Sequence, residues 1–398
     1  MPESTVGVRS IPLTRPWMDE READAARRPI LKGWVTQCPE VAAFEREFAA
    51  YVNAPFACAV SNCTTALHLA LLAAGVGAGD EVVTVSHSFL ATASAIRYCG
   101  ATPVFIDIQP GTFNMDPEHL EQALSPRTKA ILCVDQMGMP CDLRGIAAVA
   151  RRHHLPLIED AACAVGSEIL WNGRWERIGR PHADIACFSF HPRKLLTTGD
   201  GGMLTTANPD YDAKFRLWRQ HSMSVTDAVR HQANQVIFEA YPEIGFNYRM
   251  TDIQAAVGRE QLKKLPEMIA RRRQLARRYF EGLAAIPGIG LPEEPEWARS
   301  NWQSFCVRLP EHVDQREFMQ SMLDAGIATR RGIMCAHREA AYPEGTWRCG
   351  GSGEAGRELP HSEAAQDRCV ILPLYHDLQP DDQDYILSRL AHSIRRRA

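Results

Sequence analysis

The chain contains no C-x-x-C pair, no internal repeat and no unbroken apolar run of membrane-spanning length. Its opening Met-Pro-Glu-Ser-Thr lacks the charged-then-apolar pattern of a secretory leader. No G-x-G-x-x-G follows the first strand-like run, which removes an ordinary dinucleotide-binding dehydrogenase. Charge of one sign is also missing. With 44 Lys and Arg against 48 Asp and Glu, the net charge is -4, so nothing supports nucleic acid as a partner. Two basic runs remain, Arg271-Arg272-Arg273 with Arg277-Arg278, and Arg395-Arg396-Arg397. They read as the solvated face of a long helix and as the frayed end of the last helix. The 12 cysteines show no disulfide-framework or zinc spacing, and Cys58, Cys133, Cys187, Cys306 and Cys369 sit inside apolar runs, as reduced core residues do. The expectation is a soluble cytoplasmic protein without a metal, a membrane or a nucleic acid to bind.

What is present is a large core-forming chain. At 398 residues and 45% hydrophobic content it can form two domains. Up to about residue 38 the periodic signals are few and suggest an arm packed on another part of the structure. A helix follows at Val41–Val52, with Phe44, Phe48 and Tyr51/Val52 on one face. Then strand and helix alternate. Strands are predicted at 57–60, 81–85, 102–106, 130–134 and 156–158, and helices at 64–74, 91–98, 117–124 and 143–153. Continuous apolar strands between helices predict a mostly parallel sheet covered on both faces. Strand-like runs recur at 185–188 and 203–206. After them come helices at 212–219 and from Thr251, and a long helix at 266–285. A smaller α+β part ends the chain, with strands at 303–309 and 369–372, a helix at 315–325, an irregular loop at 343–359 and a closing helix. The expected division is a large domain with its arm at 1–265 and a smaller C-terminal domain at 266–398.

In such sheets ligands bind beyond the carboxyl ends of the strands, and there the chemistry collects. The first strand runs into Ser61-Asn62-Cys63-Thr64-Thr65, which opens a helix, so backbone N–H groups and hydroxyls converge as for a phosphate. The second leads to Ser86-His87-Ser88-Phe89, with an aromatic ring at the same rim. Leu157-Ile158 leads to Glu159-Asp160 and then small residues, and a carboxylate at a buried strand end calls for a cation. Ile185–Phe188 leads to Ser189-Phe190-His191-Pro192-Arg193-Lys194, followed by Gly199-Asp200-Gly201-Gly202-Met203. Desolvation there would lower the amine's pKa and leave it free to form a Schiff base. A phosphate cup, a ring, a carboxylate and a lysine at strand ends of one sheet match the needs of pyridoxal 5'-phosphate.

These stretches, with Asn247-Tyr248-Arg249-Met250-Thr251-Asp252 and Leu372-Pro373-Leu374-Tyr375, resemble the DegT-type nucleotide-sugar aminotransferase family of fold-type-I pyridoxal phosphate enzymes, over about residues 33 to 393. The resemblance implies Lys194 as the Schiff-base lysine and proton shuttle and Asp160 as partner of the pyridine nitrogen. It implies Phe89 stacked on the ring and Thr64, Ser189 and the amide after Cys63 on the phosphate. Asn247 would reach the cofactor of a partner subunit in a homodimer with shared sites. Three positions depart from the family pattern: Cys63 for Gly, Cys163 for Gln or His near the ring's 3-hydroxyl, and Asp200 for Glu.

The implied activity is transfer of an amino group from glutamate or glutamine to a keto sugar, nucleotide-linked, or to a keto-cyclitol. A dehydratase of the same family would carry His where Lys194 stands, and a cofactor-binding sensor would not need the intact constellation. His221, Ser222, Tyr241, Arg249, Arg330 and His337 fall where the resemblance places sugar or nucleotide contacts.

Overall fold

The computed structural model describes residues 9–226, 229–230, 233–350 and 358–395. The opening five residues, Arg396, Arg397 and positions 351–357 of the predicted irregular loop lie outside the described residues. Eight strands form the main sheet, in the order Phe56–Val60, Gly202–Thr206, Ile185–Ser189, Leu157–Asp160, Thr128–Val134, Glu81–Val85, Thr102–Ile106 and Arg348–Cys349. Gly202–Thr206 runs antiparallel to both neighbours, and every other pairing is parallel. Glu81–Val85, Ile185–Ser189 and Gly202–Thr206 are buried along their whole length. That is the physical reason an uninterrupted apolar run marked these strands.

Register carries the functional residues to one edge. Val134 pairs with Asp160, and Asp160 with Cys187 two residues before Ser189. Gly202 pairs with both Ser189 and Val60. The Ser61–Thr64 turn, Ser189 and Asp160 therefore leave the sheet at neighbouring strand ends. A side chain at Gly202 would not fit there, since a Cβ would lie 2.5 Å from the carbonyl carbon of Asn62. This glycine lets the antiparallel strand start directly under the turn that opens the helix Cys63–Ala73.

A three-stranded antiparallel sheet, Phe305–Arg308, Cys369–Leu372 and Arg330–Arg331, organises the C-terminal part. Helices Gln315–Asp324, Pro360–Arg368 and Pro380–Arg395 accompany it, around a separate core that includes Tyr279, Phe305, Phe318 and Leu390. The N-terminal arm reaches this part: Ile11 bridges Ile327, and the Leu13 carbonyl accepts from the Leu374 amide.

Several expectations are corrected. The arm contains a helix, Glu20–Lys32, opened by an Asp19/Glu22 capping box. Its burial rests on Glu22 meeting Lys264 at 2.6 Å rather than on an apolar stripe, so the usual helical signal was absent. The two helices expected around 251 and 266 are one, Asp252–Leu283, with Thr251 as N-cap and Pro266 inside. Residue 265 therefore lies within a continuous helix. Arg272 on that helix is buried, not solvated, and donates to the carbonyls of Trp302 and Gln303. Within the expected loop at 343–359, Arg348–Cys349 adds an edge strand to the main sheet, held by the Arg348 guanidinium on Glu81 at 2.7 Å. A hairpin, Glu168–Trp171 with Arg174–Arg177, turns at Asn172-Gly173 and pairs with Ala298–Arg299. Among the described residues no helix is long and apolar enough to cross a membrane.

Candidate active site

The strand ends open into a cavity of about 260 Å³. Cys63, Thr64, Phe89, Asp160, Cys163, Ser189 and Lys194 all line it. Arg330 reaches it from the small sheet, and Leu13 and Thr14 from the N-terminal arm. Seven residues widely separated in sequence are thus brought together as the strand-end argument expected, with Arg330 the one substrate candidate beside them.

Lys194 follows a tight turn in which its amide donates to the His191 carbonyl at 2.8 Å. Its Nζ donates to the Cys163 Sγ at 2.9 Å. Burial works against the ammonium, but the Cys163 sulfur and the Asp160 carboxylate outweigh it and hold the amine above the ordinary lysine range. This corrects the sequence argument, which counted desolvation alone.

Asp160 is buried at 4% exposure. Burial lifts its carboxyl above the usual range, while the Thr92 hydroxyl, the Ala162 amide and Lys194 pull it back. Thr92 Oγ1 donates to Oδ2 at 2.7 Å and itself meets Ser88 Oγ at 2.8 Å. The Ala162 amide donates to Oδ1 at 3.2 Å. The Cys63 thiol lies 4.0 Å from the same oxygen, and burial pushes that thiol well up, so it stays protonated. Glu159 and Asp135 are buried as well, Asp135 in the cavity wall, and burial raises both carboxyls.

A buried carboxylate and a lysine lining one cavity with a helix N-terminus form a set of groups suited to an anionic group and a protonated ring. The comparisons agree with that geometry. A family model described as "DegT/DnrJ/EryC1/StrS aminotransferase family" matches residues 16–391. The chain belongs to the DegT/DnrJ/EryC1/StrS aminotransferase family. It is 36% identical over 381 residues to the spore coat polysaccharide biosynthesis protein SpsC of Bacillus subtilis, covering 95% of each chain. Its fold matches the aminotransferase TlmJ of Streptoalloteichus hindustanus with a TM-score of 0.86 at 31% identity, over 98% of this chain and 100% of that one. Spr1654 of Streptococcus pneumoniae in its PLP form matches with a TM-score of 0.87 at 27% identity, over 98% and 100%.

In this aminotransferase the other singled-out residues lie outside the cavity. Asn247 is exposed and bridges Gln220, and Arg249 bridges Val60 at the sheet edge. His221 and Ser222 form a turn with φ of 62° and 56° after the helix Pro209–Trp218. Tyr241 is exposed on the stretch that leads to Asn247. His337 Nδ1 lies 2.7 Å from the buried Ser86 Oγ, and its Nε2 lies 3.1 Å from Glu363. That tie joins the 336–338 turn to the main sheet, away from the cavity. Sequence reasoning placed Ser88 and His191 at strand ends without a role and missed Thr92 and Gln303; all four line the cavity. For Thr92 a signal existed: it follows Phe89 by three positions, so one helical turn carries both to the same rim.

Proposed function

We propose that this aminotransferase holds pyridoxal 5'-phosphate in the cavity and moves an amino group from glutamate or glutamine to the carbonyl of a nucleotide-linked keto sugar. The observation that carries the reading is the meeting of Lys194, Asp160 and the Cys63–Ala73 helix N-terminus in one cavity. Transaminases of this family depend on that cofactor, and the match to a PLP-form structure supports the same here. When bound, the cofactor supplies an electron sink for the carbanion formed at the amino-bearing carbon. Lys194 would be the amine that joins its carbonyl and moves the proton at that carbon. Asp160, as a carboxylate, would keep the ring nitrogen protonated. Cys63, Thr64 and Ser189 would hold the phosphate, Phe89 would stack on the ring, and Cys163 would stand near its 3-hydroxyl.

The partner in this reading is a second copy of the chain, in the cytoplasm. Val236, Phe238 and Ile244 are large apolar side chains exposed on the stretch that leads to Asn247, a pattern that marks a protein contact. Asn247, exposed and outside its own cavity, would then complete the partner's phosphate site, with His221, Ser222, Tyr241 and Arg249 beside it toward substrate.

The acceptor class follows from relatives and chemistry together. SpsC is named for polysaccharide biosynthesis, and a site that must take both an amino-acid donor and a sugar has to weigh hydroxyls by hydrogen bonds. Arg330, Thr14 and His191 supply such groups at the cavity wall. We expect glutamate or glutamine to load the cofactor with its amino group. A keto sugar should then discharge it faster than pyruvate or oxaloacetate, by up to about 10⁴-fold, because unpaired buried polar groups penalise an acceptor without hydroxyls. Single-turnover discharge at matched concentrations checks this. A faster 2-oxo acid other than the donor's product would overturn the sugar reading, and a faster inosose would replace it with a keto-cyclitol.

The acid side of the pH profile should report Asp160. In the cofactor-free chain burial raises the Asp160 carboxyl above the ordinary range, and its carboxylate is the form that would favour a protonated ring, so cofactor affinity should fall with decreasing pH from above the ordinary carboxylate range. Thr92→Val removes a hydrogen bond to the charged form, raises that pKa further, and moves the acid limb to higher pH. Cofactor-binding titrations across pH, starting from the cofactor-free forms of both proteins, measure the shift, and an unmoved limb would mean that another group sets it.

A further inference from the structure

The tripeptide Asn301-Trp302-Gln303, between the strands Ala298–Arg299 and Phe305–Arg308, takes hold of the lysine turn from the C-terminal side of the molecule. The Gln303 Nε2 donates to the Arg193 carbonyl at 2.6 Å, and its Oε1 accepts from the Leu195 amide at 3.0 Å. One side-chain amide thus pairs with the peptides on both sides of Lys194, much as a neighbouring strand would. Asn301 secures the opposite partner. Its Nδ2 donates to the carbonyls of Cys163 and Val165 at 2.8 and 2.9 Å, and its Oδ1 accepts from the Gln303 amide at 2.8 Å. Lys194 Nζ and Cys163 Sγ, 2.9 Å apart, are therefore fixed by adjacent arms of one short segment.

That segment is itself rigid. Trp302 has φ +52°, a strained conformation for a bulky side chain, and persists there because its surroundings over-determine it. Its ring packs on Phe280 and Phe305, with centroids 5.4 and 5.5 Å away. Its amide donates to Ser300 Oγ at 2.9 Å, and the buried Arg272 donates to the Trp302 and Gln303 carbonyls at 3.0 and 3.1 Å. Gly138 closes the other side: with φ +93°, it approaches so closely that a Cβ would lie 2.0 Å from Asn301 Oδ1.

We infer that Gln303 is a positioning residue that aims the Lys194 amine, with Asn301 holding the Cys163 end of the same pair. This rests on the reading of Lys194 as the reactive amine. A rigid, strained turn that spends a buried amide on the two peptides flanking one side chain restricts where that side chain's terminal atom can go. Misplacement of a reacting atom by about 1 Å costs on the order of a hundredfold in rate.

The test uses the full-length, cofactor-loaded chain and two variants. Gln303→Met keeps length and removes both hydrogen bonds. Gln303→Glu can accept from Leu195 at any pH but donates to Arg193 only when protonated, so it mimics the amide at low pH alone. His191, Arg193, Lys194, Cys163, Asp160 and Arg272 are the titratable and charged groups around it, so every rate is read relative to wild type at the same pH. We expect Gln303→Met to lose about a hundredfold in kcat at all pH values, with KM for the donor little changed. Gln303→Glu should match that loss at pH 8 and recover at least tenfold of it toward pH 5.5. A second readout needs no turnover. In the cofactor-free chain, the rate at which acetic anhydride acylates Lys194, followed by peptide mass spectrometry against pH, should shift in Gln303→Met.

Wild-type kcat and acylation profile in Gln303→Met, or a Gln303→Glu loss that does not depend on pH, would overturn the assignment. If Gln303→Met does not fold, the pH dependence of Gln303→Glu decides alone. Borohydride fixation of the cofactor to a lysine other than Lys194 would instead overturn the reading beneath it, and so separates the two failures.

Discussion

Lys194→Ala is expected to abolish turnover while the fold persists, and the purified variant should lose the visible absorbance that borohydride bleaches in the wild type. Among the described residues no other lysine lines the cavity. Arg193, next to Lys194 on the same turn, carries a delocalised guanidinium, which is no nucleophile. Its removal also leaves the Cys163 thiol without its 2.9 Å partner, but neither loss opens the sheet, whose strands are buried along their length. Normal turnover in Lys194→Ala would sink the assignment. The same variant tests the shared site. Mixed with Asn247→Ala subunits, it should form heterodimers in which one site has both an intact lysine and an intact asparagine, and activity should rise above either variant alone. Heterodimers that form without recovery would place Asn247 in the service of its own subunit.

Asp160→Asn should bind the cofactor and lose roughly a hundredfold or more in kcat, the scale on which a preorganised electrostatic partner acts. The carboxylate is costly to bury. Here it is kept by the Thr92 hydroxyl, the Ala162 amide and Lys194, a set of partners consistent with waiting for a cation. An amide at this position still accepts from Thr92 but no longer favours a protonated ring nitrogen. A loss below tenfold, measured with saturating cofactor, would reduce Asp160 to a structural group.

Much of the architecture was readable from local pattern because buried parallel strands leave a plain mark. Glu81–Val85, Thr102–Ile106 and Cys369–Leu372, and the helix Ala91–Tyr98, have the bounds that their apolar runs predict. The arm helix Glu20–Lys32 was not readable, since an ion pair with Lys264 replaces an apolar face. Arg272 misled in the opposite sense. A basic run suggests water, yet two backbone carbonyls, 30 and 31 positions on, absorb its charge inside the molecule.

The candidate site divides along the same line. Sequence by itself determined which chemical groups stand at strand ends: Ser189, Lys194, Asp160, Phe89 and the Cys63–Thr64 turn. A strand end and the residues that follow it are local properties, and the topology of a parallel sheet brings all such ends to one edge. Only the tertiary structure decided how those groups are tuned. Thr92 reaches Asp160 across 68 positions, and Gln303 grips the lysine turn across 108. The amine's basicity depends on the sum of burial, a sulfur and a carboxylate at close range. Hydrogen bonds and electrostatic fields act through space, over a few ångströms, and the register between distant segments that sets those ångströms exists only once the chain has packed.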